Sequence, residues 1–413
     1  MRTNKNKDMT PFDLSIKPIR QNIFLLPVMW AGSRALLMNR NLKINKIGME
    51  KIKPPYLVLS EHQGFTDYYL VPLVLFPHRA TYVSDIEGFA AYGKRLYAQI
   101  GCIPVRRYTN DISLVKTMKR VVKDNKDIVV LFPEARHSFV GTNSKFPASV
   151  GSLVKVLDVP VVTLKIHGSY LSAPAWDETH TRKVPLSATL ELALTTDEIK
   201  EKSADEILKF LDDKFYYDEY KWQFENKIKI SYPKRAEGLH TVLYLCPNCK
   251  NESSMQSKGA DLMCTACGKV WNMDEYGRLN ANDNKTEFPH IPDWFEFERA
   301  ETIKQIKSDS YELNEKVSIR ALPNEKGFAE MGDGMVTQDK NGFTLKFNES
   351  SETIFFSVKK MFSVHIEFDY KGTGDCIVLS TKNCCYYLYF YNEKDINVTK
   401  IQFAAEYFHS ELK

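Results

Sequence analysis

The stretch Ser60-Glu61-His62-Gln63-Gly64-Phe65-Thr66-Asp67 directly follows a short apolar run, Tyr56-Leu57-Val58-Leu59. An aliphatic run that ends in polar residues is typical of a buried strand, so we expect His62 in the connection after that strand. Asp67 is then expected in or near the first turn of a helix. Open α/β sheets place their reactive groups at such strand ends. The stretch therefore predicts an α/β layer with a candidate site at His62.

His62 and Asp67 have the residue types of an acid–base pair. A carboxylate bonded to one imidazole nitrogen fixes the tautomer and leaves the other nitrogen free to accept a proton. A base positioned in this way contributes about 10²–10⁴-fold in rate. Of the nine histidines, His62 alone has an Asp five residues later. The same spacing also fits a polar loop capped by Asp67, so the pair alone leaves both interpretations open.

Apolar runs and amphipathic segments alternate after this stretch. The expected strands cover residues 79–84, 101–107, 127–132, 159–166 and 186–194, and the expected helices cover 89–99, 111–124, 148–157 and much of 195–227. Such alternation predicts an α/β fold with a mostly parallel sheet flanked by helices.

Two of these strands end in charged residues. Arg106 and Arg107 close the strand that begins near Gly101, and a guanidinium binds phosphate through two parallel hydrogen bonds. A solvated basic edge is the alternative for this pair. The strand over 127–132 runs into Pro133-Glu134-Ala135-Arg136-His137-Ser138, which gathers a carboxylate, a guanidinium and an imidazole at another strand end.

Four blocks of the chain carry a family resemblance: His62-x4-Asp67, Gly101 to Arg107, Phe132-Pro133-Glu134 and Val159-Pro160-Val161-Val162. In order and approximate spacing they resemble the blocks of the glycerolipid acyltransferases, specifically the 1-acyl-glycerol-3-phosphate acyltransferase family. The resemblance covers about residues 50–235. It implies direct transfer of an acyl group from an acyl-CoA or acyl-carrier-protein thioester to a lysophospholipid hydroxyl.

The resemblance also implies roles for individual residues. His62 would be the general base and Asp67 its orienting carboxylate. Arg107 would hold the acceptor's phosphate, and Glu134 would help to bind the glycerol-phosphate part.

One block departs from the family pattern. The family continues Phe-Pro-Glu with Gly-Thr-Arg-Ser, whereas this chain has Ala135-Arg136-His137-Ser138. The cation is either shifted to Arg136, which we therefore include among the substrate-binding residues, or replaced by the titratable ring of His137. The change bears on the headgroup of the acceptor more than on the acyl transfer itself.

The composition is that of an ordinary globular protein, with 43% hydrophobic and 26% charged residues among 413. The net charge of +4 suits phosphate groups or an anionic membrane surface and does not single out nucleic acid. The polar, basic start of the chain has no apolar region directly behind it, which argues against a signal peptide and for a reducing cytoplasm.

The N-terminal segment, residues 1–48, combines an apolar run from Ile23 to Trp30 with flanking Arg20, Arg34 and Arg40. It is too short to span a bilayer, which needs roughly 20 apolar residues. An amphipathic segment of this kind either lies in the membrane interface or packs on the domain core. Because the inferred substrate is a lipid, we expect a cytoplasmic protein that binds the membrane peripherally.

Two Cys-x-x-Cys pairs mark a metal site, Cys246 with Cys249 and Cys264 with Cys267. Four thiolates at this spacing are typical of a structural zinc ribbon, with iron or redox pairs as the competing interpretations. The remaining segment has several strand candidates and the hairpin turn Asn341-Gly342, followed by a helical segment near 400–412. This order suggests a small β-rich domain, with a barrel of pleckstrin-homology type as one interpretation.

The predicted organisation is an N-terminal interface segment at 1–48, an acyltransferase domain at 49–235, a zinc ribbon at 236–285 and a β-rich domain at 286–413. The main hypothesis is a lysophospholipid acyltransferase. A second is an inactive lipid- or protein-binding adaptor that uses the zinc ribbon and the β-rich domain. Nucleic-acid binding through the ribbon is a third hypothesis, which the modest charge does not favour.

Overall fold

The structure, a computed structural model, describes residues 8–14, 17–109, 111–177, 180–391 and 396–412. Parts of the predicted N-terminal segment, residues 1–7 and 15–16, lie outside this range. The chain forms two compact units. We call Asp13–Val105 with Asp111–Ile230 the α/β unit, and Met1–Phe12 with Arg106–Asn110 and Ser231–Lys413 the C-terminal unit.

The α/β unit is built on a seven-stranded sheet with the order β1-β7-β6-β2-β5-β3-β4. Its strands are β1 (Lys43–Ile47), β2 (Leu57–Ser60), β3 (Ala80–Asp85), β4 (Cys102–Val105), β5 (Ile128–Leu131), β6 (Val161–His167) and β7 (Ser187–Leu194). Strands β2 to β6 are parallel to one another. Strand β7 is antiparallel to β6, and β1 pairs in parallel with β7, so the sheet is mixed.

A π-helix (Val121–Asn125) and the following ten α-helices lie within the described residues of this unit. The α-helices are α1 (Leu25–Leu36), α2 (Asp67–Leu75), α3 (Ile86–Tyr92), α4 (Lys94–Gln99), α5 (Ile112–Arg120), α6 (Ser149–Leu157), α7 (Ser169–Ser172), α8 (Thr196–Glu201), α9 (Ala204–Lys214) and α10 (Glu219–Glu225). The single helix expected over 89–99 is two helices, because Gly93 adopts a φ of 90° between them.

The central strands are apolar on both faces, as the sequence predicted for a covered parallel sheet. Leu57 and Leu59 contribute to one buried cluster, while Val58 contributes to a second cluster with Val130 and Val162. Because apolar clusters cover both faces of the sheet, polar side chains of β2 and β5 avoid an apolar environment only at the strand ends. The expected α/β layer is confirmed, and its sheet is mixed at the β7–β1 edge.

The C-terminal unit contains two sheets. The first has four antiparallel strands, β8 (Met255–Lys258), β9 (Asp261–Cys264), β10 (Val270–Met273) and β11 (Leu279–Ala281). Helix α11 (Ile291–Lys307) follows, and its buried Trp294 donates its indole N–H to the Leu245 carbonyl.

The second sheet has seven antiparallel strands with the order β15-β14-β13-β12-β18-β17-β16. They are β12 (Leu313–Leu322), β13 (Ala329–Asp339), β14 (Gly342–Phe347), β15 (Thr353–Ser357), β16 (His365–Glu367), β17 (Cys376–Ser380) and β18 (Cys385–Phe390). Helix α12 (Val398–Ser410) closes the chain. The β-rich character is confirmed, whereas the pleckstrin-homology type stays a prediction.

Candidate active site and metal centre

Three neighbouring parallel strands, β6, β2 and β5, bring their carboxyl ends to one edge of the sheet. The connection after β2 carries His62, and the connection after β5 carries residues 132–138. The two connections are joined by a hydrogen bond of 3.0 Å, in which the Ser138 N–H donates to the His62 carbonyl. The blocks that contain His62 and residues 132–134 are therefore neighbours at one edge of the sheet.

Asp67 is the most completely bonded carboxylate of this edge, and its residue is fully buried. Its Oδ2 accepts the backbone N–H of Gln63 at 2.7 Å and that of Gly64 at 3.1 Å. Its Oδ1 accepts the hydroxyl of Ser169 at 2.5 Å. These donors compensate for burying the charge and hold the carboxylate still.

The imidazole of His62 points its Nδ1 at Asp67 Oδ2, at 3.3 Å. An ionised carboxylate only accepts hydrogen bonds, so Nδ1 carries the proton of the neutral ring and Nε2 carries the lone pair. The predicted pair is therefore brought together in the orientation that a general base requires. The His62 residue is 6% exposed.

Three aromatic rings surround the imidazole of His62. Phe132 lies 4.4 Å away between ring centroids, and His137 lies at 4.3 Å and nearly perpendicular. Tyr68 is edge-on at 5.6 Å, and its hydroxyl oxygen is 3.4 Å from Nε2. The sequence singled out neither Tyr68 nor the contact of His137 with His62, because a position in a helix or a loop does not by itself reveal which side chain faces His62.

Glu134 and Arg136, the predicted substrate-binding residues of the second connection, are both buried. Glu134 Oε2 accepts the Ser144 N–H at 2.6 Å, and Arg136 Nε donates to the Ser144 hydroxyl at 3.0 Å. The Arg136 guanidinium also lies over the Phe139 ring at 5.1 Å. Both side chains brace the loop that leads to Ser144, and their role in substrate binding stays a prediction.

Burial raises the pKa of Glu134 to about 7. Burial also raises the pKa of Glu61 well above its ordinary value, with the nearby carboxyls of Glu219 and Glu134 acting in the same direction. Glu61 Oε2 accepts the Ile166 N–H at 2.8 Å and the amide of Gln63 at 3.1 Å. Glu61 and Gln63 thus tie the connection after β2 to strand β6, a role that the sequence did not indicate.

Arg107, the predicted phosphate-binding residue, belongs to the C-terminal unit. Its guanidinium contacts the imidazole of His365 and lies 3.8 Å from Glu367 Oε1 on the same strand, β16. The adjacent Arg106 is buried and donates to the carbonyls of Pro323, Lys382 and Asn383. The α/β unit accordingly contains four of the five predicted catalytic and substrate-binding residues.

Part of the α/β unit matches a known protein family. Residues 43–167 match the family model described as Acyltransferase. This part of the chain is an acyltransferase domain. The chain is also similar to the crystal structure of the 1-acyl-sn-glycerophosphate (LPA) acyltransferase PlsC from Thermotoga maritima, with 18% identity and a TM-score of 0.38. That match covers 46% of this chain and 77% of the other. No curated protein matches the chain.

Outside the acyltransferase domain, Cys246, Cys249, Cys264 and Cys267 lie close together, with their sulfur atoms within 4.8 Å of one another. The Cys246–Cys267 and Cys249–Cys264 sulfur pairs are 3.8 and 3.6 Å apart. A tetrahedral site with metal–sulfur bonds of about 2.3 Å has edges of about 3.8 Å. All four predicted ligands are thus brought together, and their spacing fits a four-coordinate metal ion.

We expect the purified chain to contain one metal ion, and Cys249→Ser to lose most of it because one of four thiolate ligands is removed. Metal per chain, measured by plasma mass spectrometry after gel filtration, tests this. Cys102→Ala, in the acyltransferase domain, is the control and should retain the metal. A wild-type protein without stoichiometric metal would contradict the assignment.

A second prediction concerns pH and the buried Glu134. Its pKa is about 7 in the folded state against an ordinary 4.5, so folding favours the protonated form. The contribution of Glu134 to the free energy of unfolding is most favourable below pH 4.5. It is lost as the pH rises through about 7, and the total loss is about 3 kcal/mol. Between pH 5 and pH 8, the free energy of unfolding should therefore fall less in Glu134→Gln than in the wild type.

Urea unfolding at the two pH values measures this difference for the acyltransferase domain. Glu201→Gln, a change at an exposed carboxylate, is the matched control and should keep the wild-type pH dependence. Equal pH dependence in wild type and Glu134→Gln would show that Glu134 is ionised in the folded state throughout this range.

Proposed function

We propose that the protein is an O-acyltransferase that moves a fatty acyl group from an acyl-CoA or acyl-carrier-protein thioester to the hydroxyl of a lysophospholipid such as 1-acyl-glycerol-3-phosphate. The observation that carries the proposal is the His62–Asp67 pair, oriented with the Nε2 lone pair directed away from the carboxylate. The Acyltransferase match over residues 43–167 supports the reaction class.

The reaction needs one general base and no covalent enzyme intermediate. Nε2 of His62 accepts the proton of the acceptor hydroxyl while its oxygen bonds to the thioester carbon. The resulting tetrahedral oxyanion collapses, the carbon–sulfur bond breaks, and the thiol leaves with the proton from Nε2. Asp67 stabilises the imidazolium that exists between these two steps.

Three residues were predicted to bind the headgroup of the acceptor. The family resemblance assigns the phosphate to Arg107 and the glycerol-phosphate part to Glu134, and Arg136, where the cation of the family pattern is shifted, is a further predicted substrate-binding residue. In the structure Glu134 and Arg136 are bonded to Ser144, so we propose that they act by holding the loop that carries His137. Arg107 remains a predicted phosphate ligand.

A membrane surface is the proposed source of the lipid. Helix α1 turns Leu26 inward, while Phe24, Val28 and Leu36 are 80%, 63% and 62% exposed. Arg34 lies exposed in the same helix. Exposed apolar side chains with flanking cations are typical of helices that lie in the membrane interface. Within the described residues, no helix has the length and apolar character needed to cross a bilayer.

We propose zinc as the metal of the four-cysteine site, with a structural role, because four protein thiolates leave no coordination position for substrate. We further propose that the ribbon (236–285) and the β-rich segment (286–413) are separate modules. A catalytically inactive adaptor remains the alternative function, since Ala135-Arg136-His137 departs from the family pattern.

The proposed base is tested by His62→Ala. Its loss should reduce kcat for acyl transfer by about 10²–10⁴-fold, because the acceptor hydroxyl then lacks a proton acceptor. Purified protein, labelled acyl thioester and a panel of lysophospholipids provide the measurement. His78→Ala, at an exposed histidine of the same domain, should leave the rate unchanged. If the wild-type protein acylates no lysolipid, the adaptor alternative stands instead.

The membrane face is tested by the double change Phe24→Ser and Val28→Ser. Sedimentation with vesicles containing anionic phospholipid should show weaker binding, because two exposed apolar anchors are removed. Acylation of a short-chain acceptor in solution should be preserved. Ile112→Ser, which also removes a strongly exposed apolar side chain, is the control. Unaltered vesicle binding would exclude α1 as the membrane contact.

A further inference from the structure

Tyr68 follows Asp67 directly in the first turn of α2, and its hydroxyl oxygen is 3.4 Å from Nε2 of His62. The residue is 39% exposed, in contrast to the buried His62 and Asp67. Tyr68 is therefore a partly exposed residue whose hydroxyl lies at the proposed catalytic nitrogen. Neither the family blocks nor the site predicted from the sequence includes it.

The direction of this contact follows from the rest of the site. Nδ1 of His62 donates to Asp67, so Nε2 of the neutral ring has a lone pair and no hydrogen. The Tyr68 hydroxyl is thus the donor toward Nε2. In the resting enzyme this O–H lies beside the nitrogen to which the acceptor hydroxyl must donate.

An acceptor hydroxyl that binds to Nε2 takes over this lone pair. The phenolic O–H can then turn about its own carbon–oxygen bond without any movement of the ring. The ring itself is held by aromatic neighbours, with Phe65 at 5.3 Å and Phe132 at 6.2 Å between centroids. Binding of the acceptor hence directs this hydroxyl hydrogen away from Nε2, next to the reacting atoms.

We propose that Tyr68 is a catalytic residue that donates its hydroxyl hydrogen bond to the thioester carbonyl oxygen as this oxygen becomes the oxyanion. The inference rests on the proposed acyl transfer. The acceptor oxygen bonds to the carbonyl carbon, its proton passes to Nε2, and the carbonyl π electrons move to the oxygen that Tyr68 stabilises. When these electrons return, the carbon–sulfur bond breaks and the thiol leaves with the proton from Nε2.

The distances are compatible with this role. A hydroxyl bound to the base lies about 2.6–3.2 Å from Nε2. The carbonyl oxygen of the carbon under attack is then a near neighbour of the same nitrogen, and an oxyanion donor must come within about 2.7–3.1 Å of it. A phenol oxygen 3.4 Å from Nε2 lies in this region. His62 and Tyr68 would thereby act on the two oxygens that change during the reaction.

Tyr68→Phe removes the hydroxyl and retains the ring. We expect kcat to fall by about 10²-fold, the effect typical for loss of one oxyanion donor, with the acceptor KM changed by less than about twofold. Slow hydrolysis of the acyl thioester without acceptor should fall by a similar factor, because water attack forms the same oxyanion. Tyr69→Phe, the same change one residue later at a ring that packs against the core, should keep the wild-type values.

A wild-type kcat in Tyr68→Phe would overturn the inference. So would a loss of transfer without a loss of hydrolysis, since that result assigns Tyr68 to positioning the acceptor. The proposed function fails separately, when the wild-type protein shows no thioester-dependent acylation or His62→Ala is as active as wild type. An active wild type with inactive His62→Ala and fully active Tyr68→Phe refutes the role of Tyr68 alone.

Discussion

The buried carboxylate of Asp67 is the constraint on which the rest of the site depends. A buried charge is costly unless hydrogen bonds surround it, and Asp67 obtains them from Gln63, Gly64, Ser169 and His62. These bonds have two consequences. They close the connection after β2 into a tight loop, and they fix both the tautomer and the direction of the His62 ring. The conformation of this loop and the orientation of the His62 ring thus have the same electrostatic origin.

The parallel arrangement of β6, β2 and β5 explains which segments of the chain supply the groups around Asp67 and His62. Ser169 follows β6, His62 follows β2, and residues 132–138 follow β5, so three connections far apart in the chain meet at one edge. Because the strands are covered on both faces by apolar clusters, the polar groups at this edge are crowded and poorly hydrated. The raised pKa values of Glu61 and Glu134 are the electrostatic result.

Some residues of the candidate sites were predicted from the sequence, and others were not. The four cysteines were predicted because their short spacing is chemically restrictive. The His62–Asp67 pair was predicted because it is the first of four blocks that resemble those of the glycerolipid acyltransferases, since its spacing alone also fits a capped polar loop. Tyr68 and the contact between His137 and His62 were missed, since each depends on which way a side chain turns after the chain has folded. Ser169 was missed because its contact with Asp67 spans 102 residues and requires the sheet order. The positions of β7 and β1 in the sheet also depend on strand pairing, which hydrophobic periodicity does not reveal.

The sequence by itself predicted the alternation of strands and helices, the residues of the candidate His62–Asp67 pair and the four cysteines of the candidate metal site. The elements follow from hydrophobic periodicity, the metal site from the spacing of the cysteines, and the pair from its place among four blocks that resemble a known family. Only the tertiary structure decided which groups surround the base, which candidates are buried against Ser144, and that Arg107 belongs to the C-terminal unit. The physical reason is that burial and hydrogen-bond partners are set by contacts between distant segments, and a linear pattern does not encode those contacts directly.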